Sequence, residues 1–355
     1  MNNGNKIISV RGGLNCLFHD ITSVSNLFCA WNEFKKGKRK RKDIQEFEFN
    51  LEDNIFKLHE ELISKQYKHG EYTGFFVSDP KLRHIHKANV KDRILHQAIF
   101  RILYPIFDKH FIFDSYSSRT EKGTHKGVKR TFVFARKESE NWKKRTFVLK
   151  CDIKKFFNSI NHKILLDLVK KEISCPDTLW LVEIIINSFS TTNTIYVTAE
   201  MKKGIPLGNV ISQLFANIYL NELDQFIKHK LKEKYYIRYC DDFIILNSDE
   251  EHLEKSLLLI GSSLKNKLKL ELHPQKIEIR KLRQGIDFLG YVILPHYIVL
   301  RSKTKRRMLR KLNEKAILIA FSSTISKETF NQSLQSYLGM LKHCKGYKIK
   351  LKLNK

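Results

Sequence analysis

Asp241 and Asp242 stand side by side in YIRYCDDFIIL, residues 236–246, where apolar and aromatic residues flank an acidic pair that a buried strand does not tolerate. An isolated ionised carboxylate in apolar surroundings is costly unless a partner or a metal offsets it, which places the pair at a strand-turn-strand tip facing a cation. A third acid, Asp152, ends the alternating stretch TFVLKCDI, residues 146–153, in which Phe147, Leu149 and Cys151 share one face and Val148, Lys150 and Asp152 the other. If the two elements are sheet neighbours, the three acids converge. They then suit two Mg²⁺ ions about 3.5 to 4 Å apart, one activating an attacking 3′ hydroxyl and the other neutralising a triphosphate and its leaving pyrophosphate. The chemistry implied is nucleotidyl transfer. Exposed turns also collect Asp, so the pair taken alone leaves an ordinary turn open.

Such acids need a sheet, and the sheet needs a core. The chain has 355 residues, 42% of them hydrophobic, enough for one large or two medium domains. Lys and Arg number 65 against 37 Asp and Glu, a formal charge of +28, which points to a polyanionic partner, RNA or DNA before an anionic membrane. No apolar run is long enough to span a bilayer, and residues 1–30 lack a secretory signal, so a cytoplasmic protein without a membrane partner is expected. Cys16, Cys29, Cys151, Cys175, Cys240 and Cys344 show no CxxC spacing and read as reduced thiols.

The elements follow from periodicity. Over residues 14–66, Phe47, Leu51, Ile55, Leu58 and Leu62 recur at helical spacing, predicting two helices around the basic run KKGKRKRK, residues 35–42. That run suits a nucleic-acid contact and a solvated loop equally. A short strand is expected at 74–77, a loop through Lys81 and Arg83, a helix over 90–107, and a turn at Gly123 and Gly127 leading into another helix. The spacing of Ile211, Leu214, Phe215, Ile218 and Leu223 predicts an amphipathic helix packed on the sheet. A further helix is expected over 250–267, and strands over 276–281 and 287–293. Past Arg301 the chain turns helical and basic, with Phe330, Leu334, Tyr337, Leu338 and Leu341 as a core-facing stripe.

From about residue 77 to 291, with a weaker tail, the sequence resembles the reverse transcriptases. The blocks that carry the likeness, in order, are KANVKDRILHQAIF, FIFDSYSSRTEKGTHKGV, VLKCDIKKFFNSINH, GIPLGNVISQLFANIYLNELDQF, YIRYCDDFIIL, HPQKIEI and GIDFLGYVI. Relatives similar to group II introns carry QGxxxSP in the fourth block. This chain reads Leu207, Gly208, Asn209, Val210, Ile211, Ser212, Gln213, and the GNxxSQ form is similar to the diversity-generating retroelement enzymes, as are SYSSR, GTHKGV and LNELDQF.

The resemblance implies roles residue by residue. Asp152, Asp241 and Asp242 match metal ligands, with the Ile153 carbonyl as a further oxygen. Lys81 and Arg83 match residues that clamp the incoming triphosphate, a task suited to a guanidinium fork, although a solvated loop is the alternative. Phe157 matches an aromatic gate against the ribose 2′ hydroxyl, and Lys276 a general acid to pyrophosphate, although a solvated lysine fits there as well. Leu207 and Gly208 fall at the incoming nucleotide. Leu207 stands where accurate relatives have glutamine, which implies looser base selection. Phe288, Leu289, Gly290 and Tyr291 match the primer grip, where a tight turn lets backbone approach the primer end. Arg93 and Arg119 lie in matched blocks and fit either a nucleic-acid contact or a structural ion pair. Arg306 and Arg307 belong to the basic tail that would follow nucleic acid.

The expected fold is α+β, a right-hand polymerase with fingers, a palm built on an antiparallel sheet and a short helical thumb. Its expected division is an N-terminal helical extension at 1–71, fingers and palm at 72–295, and a basic helical thumb at 296–355. The resemblance implies an RNA-directed DNA polymerase using Mg²⁺, an RNA template, a cDNA or DNA primer and dNTPs. It also implies adenine-mutagenised cDNA from a template repeat, homing into a variable region with an accessory variability protein. A retron, phage-defence or group II intron-like reverse transcriptase is the first alternative. An inactive RNA-binding scaffold with a polymerase fold is the second.

Overall fold

The computed structural model describes residues 17–78, 81–192, 201–321 and 326–353, which form two compact units. The first is drawn from residues 1–112, 153–226 and 262–271, the second from 113–152, 227–261 and 272–355.

The first unit is mainly helical. Its central helix, Val90–Asp108, is capped by the Asn89 side chain, which accepts from the Asp92 N–H, and buries Ile94, Leu95, Ala98, Ile99 and Leu103. It packs against the helices Val24–Phe34 and Val210–Gln225. Where two helices are expected over 14–66, the described residues form four: Leu17–Thr22, Val24–Phe34, Lys42–Phe49 and Leu51–Ile63. Ser23 starts the second by accepting from the Asn26 N–H, and Asn50 breaks the last two apart, although the apolar spacing runs through both breaks. Strands β1 (Thr73–Val77) and β2 (Arg83–Lys87) make an antiparallel hairpin with Phe76 two-thirds exposed.

The second unit holds two antiparallel sheets. β3 (Phe147–Asp152), β4 (Tyr235–Tyr239), β5 (Asp242–Asn247) and β6 (Glu278–Lys281) form one, in the order β4-β5-β3-β6. β7 (Ile286–Phe288), β8 (Tyr291–Leu294) and β9 (Tyr297–Leu300) form the other. The single strand expected over 276–281 begins late, because Pro274–Lys276 winds into a 3-10 turn. The stretch 287–293 is a hairpin rather than one strand. β3 and β5 are buried along most of their length, so hydrophobic residues run on both faces. Val148, Ile237, Ile244 and Leu246 share a core with Ile286, Phe288, Tyr291 and Ile293 and with Val128 and Phe134 of the helix Thr124–Glu138. Leu341 is buried in this core, with Phe330, Leu334, Tyr337 and Leu338 packed against it, as the stripe predicts. The helix expected over 250–267 is α-helical over Glu250–Ser263 and widens to a π-turn over Leu264–Leu268. Cys29, Cys151, Cys175, Cys240 and Cys344 are free thiols, and Cys16 lies outside the described residues. Among the described residues no helix is long and apolar enough to cross a membrane.

Candidate active site

The register of β4 on β5 pairs Tyr239 with Asp242 and leaves Cys240 and Asp241 as a two-residue turn. Cys240 has φ 56°, the sign that hairpin turns require at their first central residue. A side chain in that region costs about 1–3 kcal/mol and persists where the surroundings over-determine it. Arg238 supplies that constraint. It is fully buried, with Nη1 donating to the Cys240 carbonyl at 3.1 Å and Nη2 to Ser115 Oγ at 3.1 Å. Its backbone is pinned too: its N–H donates to Asp114 O at 3.0 Å, and its carbonyl accepts from the Tyr116 N–H at 2.9 Å.

Across the sheet, Asp152 is the direct antiparallel partner of Asp242, so the last residue of β3 faces the first of β5 and Asp241 sits on the adjoining turn. The Asp152 carbonyl accepts from the His273 N–H at 2.8 Å, which anchors the turn Pro274–Lys276. Lys276 Nζ from that turn lies 2.5 Å from Asp152 Oδ1. Ile153 follows, 1% exposed. Burial, then the Asp152 charge, raises the Asp241 carboxyl above its ordinary range. Burial, then Asp152 and Asp241, pushes Asp242 up to about 7. Lys150, two positions before Asp152, faces the same side, and burial lowers its ammonium pKa. Its Nζ donates to the Asp287 carbonyl at 2.6 Å.

This donor set is all hard oxygen and carries more negative charge than Lys276 and Lys150 neutralise. It therefore fits a hard divalent cation by chemistry. Among the described residues no three Asp, Glu, His or Cys side chains already stand at coordinating spacing about one point.

In the same unit, Phe288 and Tyr291 are paired across β7 and β8, and Leu289 and Gly290 make the turn with φ 52° and 87°. Both central residues positive is the signature of a type I′ turn. Gly127 lets this turn lie close: a Cβ there would stand 3.3 Å from Leu289 Cδ1. Arg119 Nη1 donates to Ser115 O at 3.2 Å. Arg306 is exposed and Arg307 half-buried on the helix Ser302–Phe321.

The remaining predicted residues belong to the first unit. Lys81 and Arg83 are exposed, Arg83 opening β2. The Phe157 carbonyl accepts from the Ile205 N–H at 2.8 Å, the Leu207 carbonyl from the His86 N–H at 3.0 Å, and Asn209 Nδ2 donates to His86 O at 3.0 Å. Gly208 has φ 114°, and a Cβ there would come within 2.8 Å of Ile85 Cγ2. Arg93 Nη2 pairs with Asp43 Oδ2 at 2.7 Å, and Lys87 with the same oxygen at 2.7 Å. Sequence reasoning singled out neither Arg238 nor Lys150. The available signal was a cation at an inward position of an otherwise apolar strand.

The family described as "Reverse transcriptase (RNA-dependent DNA polymerase)" matches residues 68–293. Protein YkfC of Escherichia coli is 26% identical over 271 residues, 67% of this chain and 70% of YkfC. The group II intron-encoded protein LtrA of Lactococcus lactis subsp. cremoris is 26% identical over 323 residues, 72% of this chain, and the chain spans only 48% of LtrA. The apo telomerase structure of Candida tropicalis aligns at 15% identity and TM-score 0.46, over 66% of this chain and 55% of that one. The matched region takes in both acidic strands, the Lys276 turn and the Phe288–Tyr291 hairpin, and the chain belongs to the reverse transcriptase family of RNA-dependent DNA polymerases.

Proposed function

We propose that the chain extends a DNA primer along an RNA template by nucleotidyl transfer at Asp152, Asp241 and Asp242, with two Mg²⁺ ions as resident cofactors. The observation that carries this reading is the direct cross-strand pairing of Asp152 with Asp242 beside the strained Cys240–Asp241 turn. When bound, the ions supply Lewis-acid activation of the primer hydroxyl and neutralise the triphosphate. Asp152, Asp241 and Asp242 would hold them, with the Ile153 carbonyl as a further oxygen. Lys276, already beside Asp152, is the proton donor to the leaving pyrophosphate. Lys81 and Arg83 clamp the triphosphate, and Leu207 and Gly208 face the incoming nucleotide. Phe157 excludes the ribose 2′ hydroxyl. The hairpin 288–291 grips the primer end. Arg306 and Arg307 track the nucleic-acid backbone, as does Arg119. Pairing with Asp43 supports a structural part for Arg93. Residues 1–71 serve as a helical extension, 72–295 as fingers and palm, and 296–355 as thumb. Primer extension on an RNA template with Mg²⁺ tests the reading: no product where a control polymerase works overturns it in favour of an inactive RNA-binding scaffold.

Two lineages fit. Likeness to LtrA supports a group II intron-like enzyme. The GNxxSQ run at 208–213 supports a diversity-generating retroelement enzyme that copies a template repeat into adenine-mutagenised cDNA with an accessory variability protein. Neighbouring DNA separates them, since only the second requires paired repeats differing mainly at adenines.

A further inference from the structure

Lys150 occupies the middle of β3, a position where its cross-strand partners are Ile244 on β5 and Glu278 on β6. Its neighbours on that face include Val148 and Ile244, which belong to the apolar core shared with β7 and β8. A lysine there loses solvation, so the polar bond that it makes must have a use. That bond runs to the backbone carbonyl of Asp287 at 2.6 Å, across from the sheet of β3 to the sheet of β7. The Asp287 carboxylate pairs in turn with Arg301, whose backbone N–H donates to Gly290 O at 3.0 Å in the hairpin turn. The hairpin is thus held at its first strand by Lys150 and at its turn by Arg301. Val148 and Ile244 meet Ile286, Phe288 and Ile293 in one apolar core, and apolar contact is non-directional, leaving small sliding movements open beside the long bond of Arg280 Nη1 to Gly285 O at 3.5 Å. A single hydrogen bond from a charged donor removes that freedom.

We infer that Lys150 is a positioning residue that fixes the hairpin 288–291 against the carboxylate strand and so sets where a primer 3′ end meets Asp152 and Asp242. The inference rests on the proposed reading of that hairpin as a primer grip. Lys150 acts through Asp287 and touches no substrate. Methionine at this position keeps the apolar stem and lacks the donor, whereas arginine keeps a charged donor.

The test uses the full chain, an RNA template and a DNA primer ending in 2-aminopurine. Lys150→Met is expected to slow single-turnover incorporation at saturating dNTP by about tenfold or more. It should also change the fluorescence of the bound primer terminus and leave the primer dissociation constant within about twofold. Lys150→Arg is expected to restore most of the rate, which a loss of core packing alone does not explain. Lys150→Gln, polar but too short to reach Asp287, carries the same expectation if the methionine variant does not fold. Wild-type rate and fluorescence in Lys150→Met, with both altered in Leu289→Ala, overturns the role of Lys150 and leaves the primer-grip reading standing. Fluorescence unmoved by either variant overturns the primer-grip reading and the inference with it.

Discussion

Asp152 and Asp242 are direct partners across β3 and β5, and each lies where its strand ends or begins. Antiparallel partners that carry like charge repel, and here burial strengthens the repulsion. The fold tolerates this through the Lys276 ammonium on Asp152 and through Arg238 beneath the adjoining turn.

Removing one of the repelling charges should stabilise the cation-free protein while disabling it. Asp242→Asn is expected to raise the unfolding free energy without divalent cation by about 0.5–2 kcal/mol. Single-turnover incorporation should fall on the order of 10²–10³-fold. Denaturant melts and incorporation kinetics check the pair of effects. A less stable Asn variant contradicts the account of the site's electrostatics.

Arg238 should behave as a support of the acidic turn. Arg238→Met leaves the Cys240 carbonyl and Ser115 hydroxyl without this donor and should cost about 1–3 kcal/mol. Arg238→Lys should not restore it, since an ammonium lacks the two-pronged reach to both acceptors. Stability of the three proteins by urea titration decides this.

A pH dependence arises away from the acids. His96 is fully buried beside His69, with 3.1 Å between their Nε2 atoms. Burial, then the His69 and Arg93 charges, brings its pKa from 6.5 down to about 3. A depressed pKa means that the unfolded chain takes up a proton that the folded one refuses. The contribution of His96 is therefore intact above pH 6.5 and is lost progressively down to about pH 3. The slope is at most about 1.4 kcal/mol per pH unit. His96→Gln should flatten the fall in stability between pH 6.5 and 4.5; an unchanged slope contradicts the assignment.

The proposed place of Leu207 at the incoming nucleotide makes accuracy testable. Its side chain offers no hydrogen bond to a nucleotide, so Leu207→Gln should reduce misincorporation opposite template adenines. Sequencing cDNA copied from an adenine-rich RNA measures this, and an unchanged error spectrum sinks the idea.

The positions of the acids, the amphipathic helix before them and the stripe from Phe330 to Leu341 were legible because each rests on a local pattern: a charge anomaly for the acids and a 3.6-residue period for the two helices. Arg238 and Lys150 were not, because what makes them useful, Ser115 and the Asp287 carbonyl, lies over a hundred residues away in the chain. The break at Ser23 escaped the periodicity because its side-chain cap acts on a backbone N–H, and the break at Asn50 because its backbone leaves the helical region at φ −116° and ψ 45°, while the apolar spacing continues through both. The hairpin at Leu289–Gly290 divides what the alternation joins, since two positive φ values reverse the chain without changing which residues are apolar.

The most direct test of the central claim is Mg²⁺-dependent extension of a DNA primer on an RNA template, comparing the intact chain with an Asp241→Asn, Asp242→Asn double variant of demonstrated fold. The account predicts full-length cDNA from the first and none from the second. Product surviving in the double variant contradicts the assignment of these carboxylates as the catalytic centre.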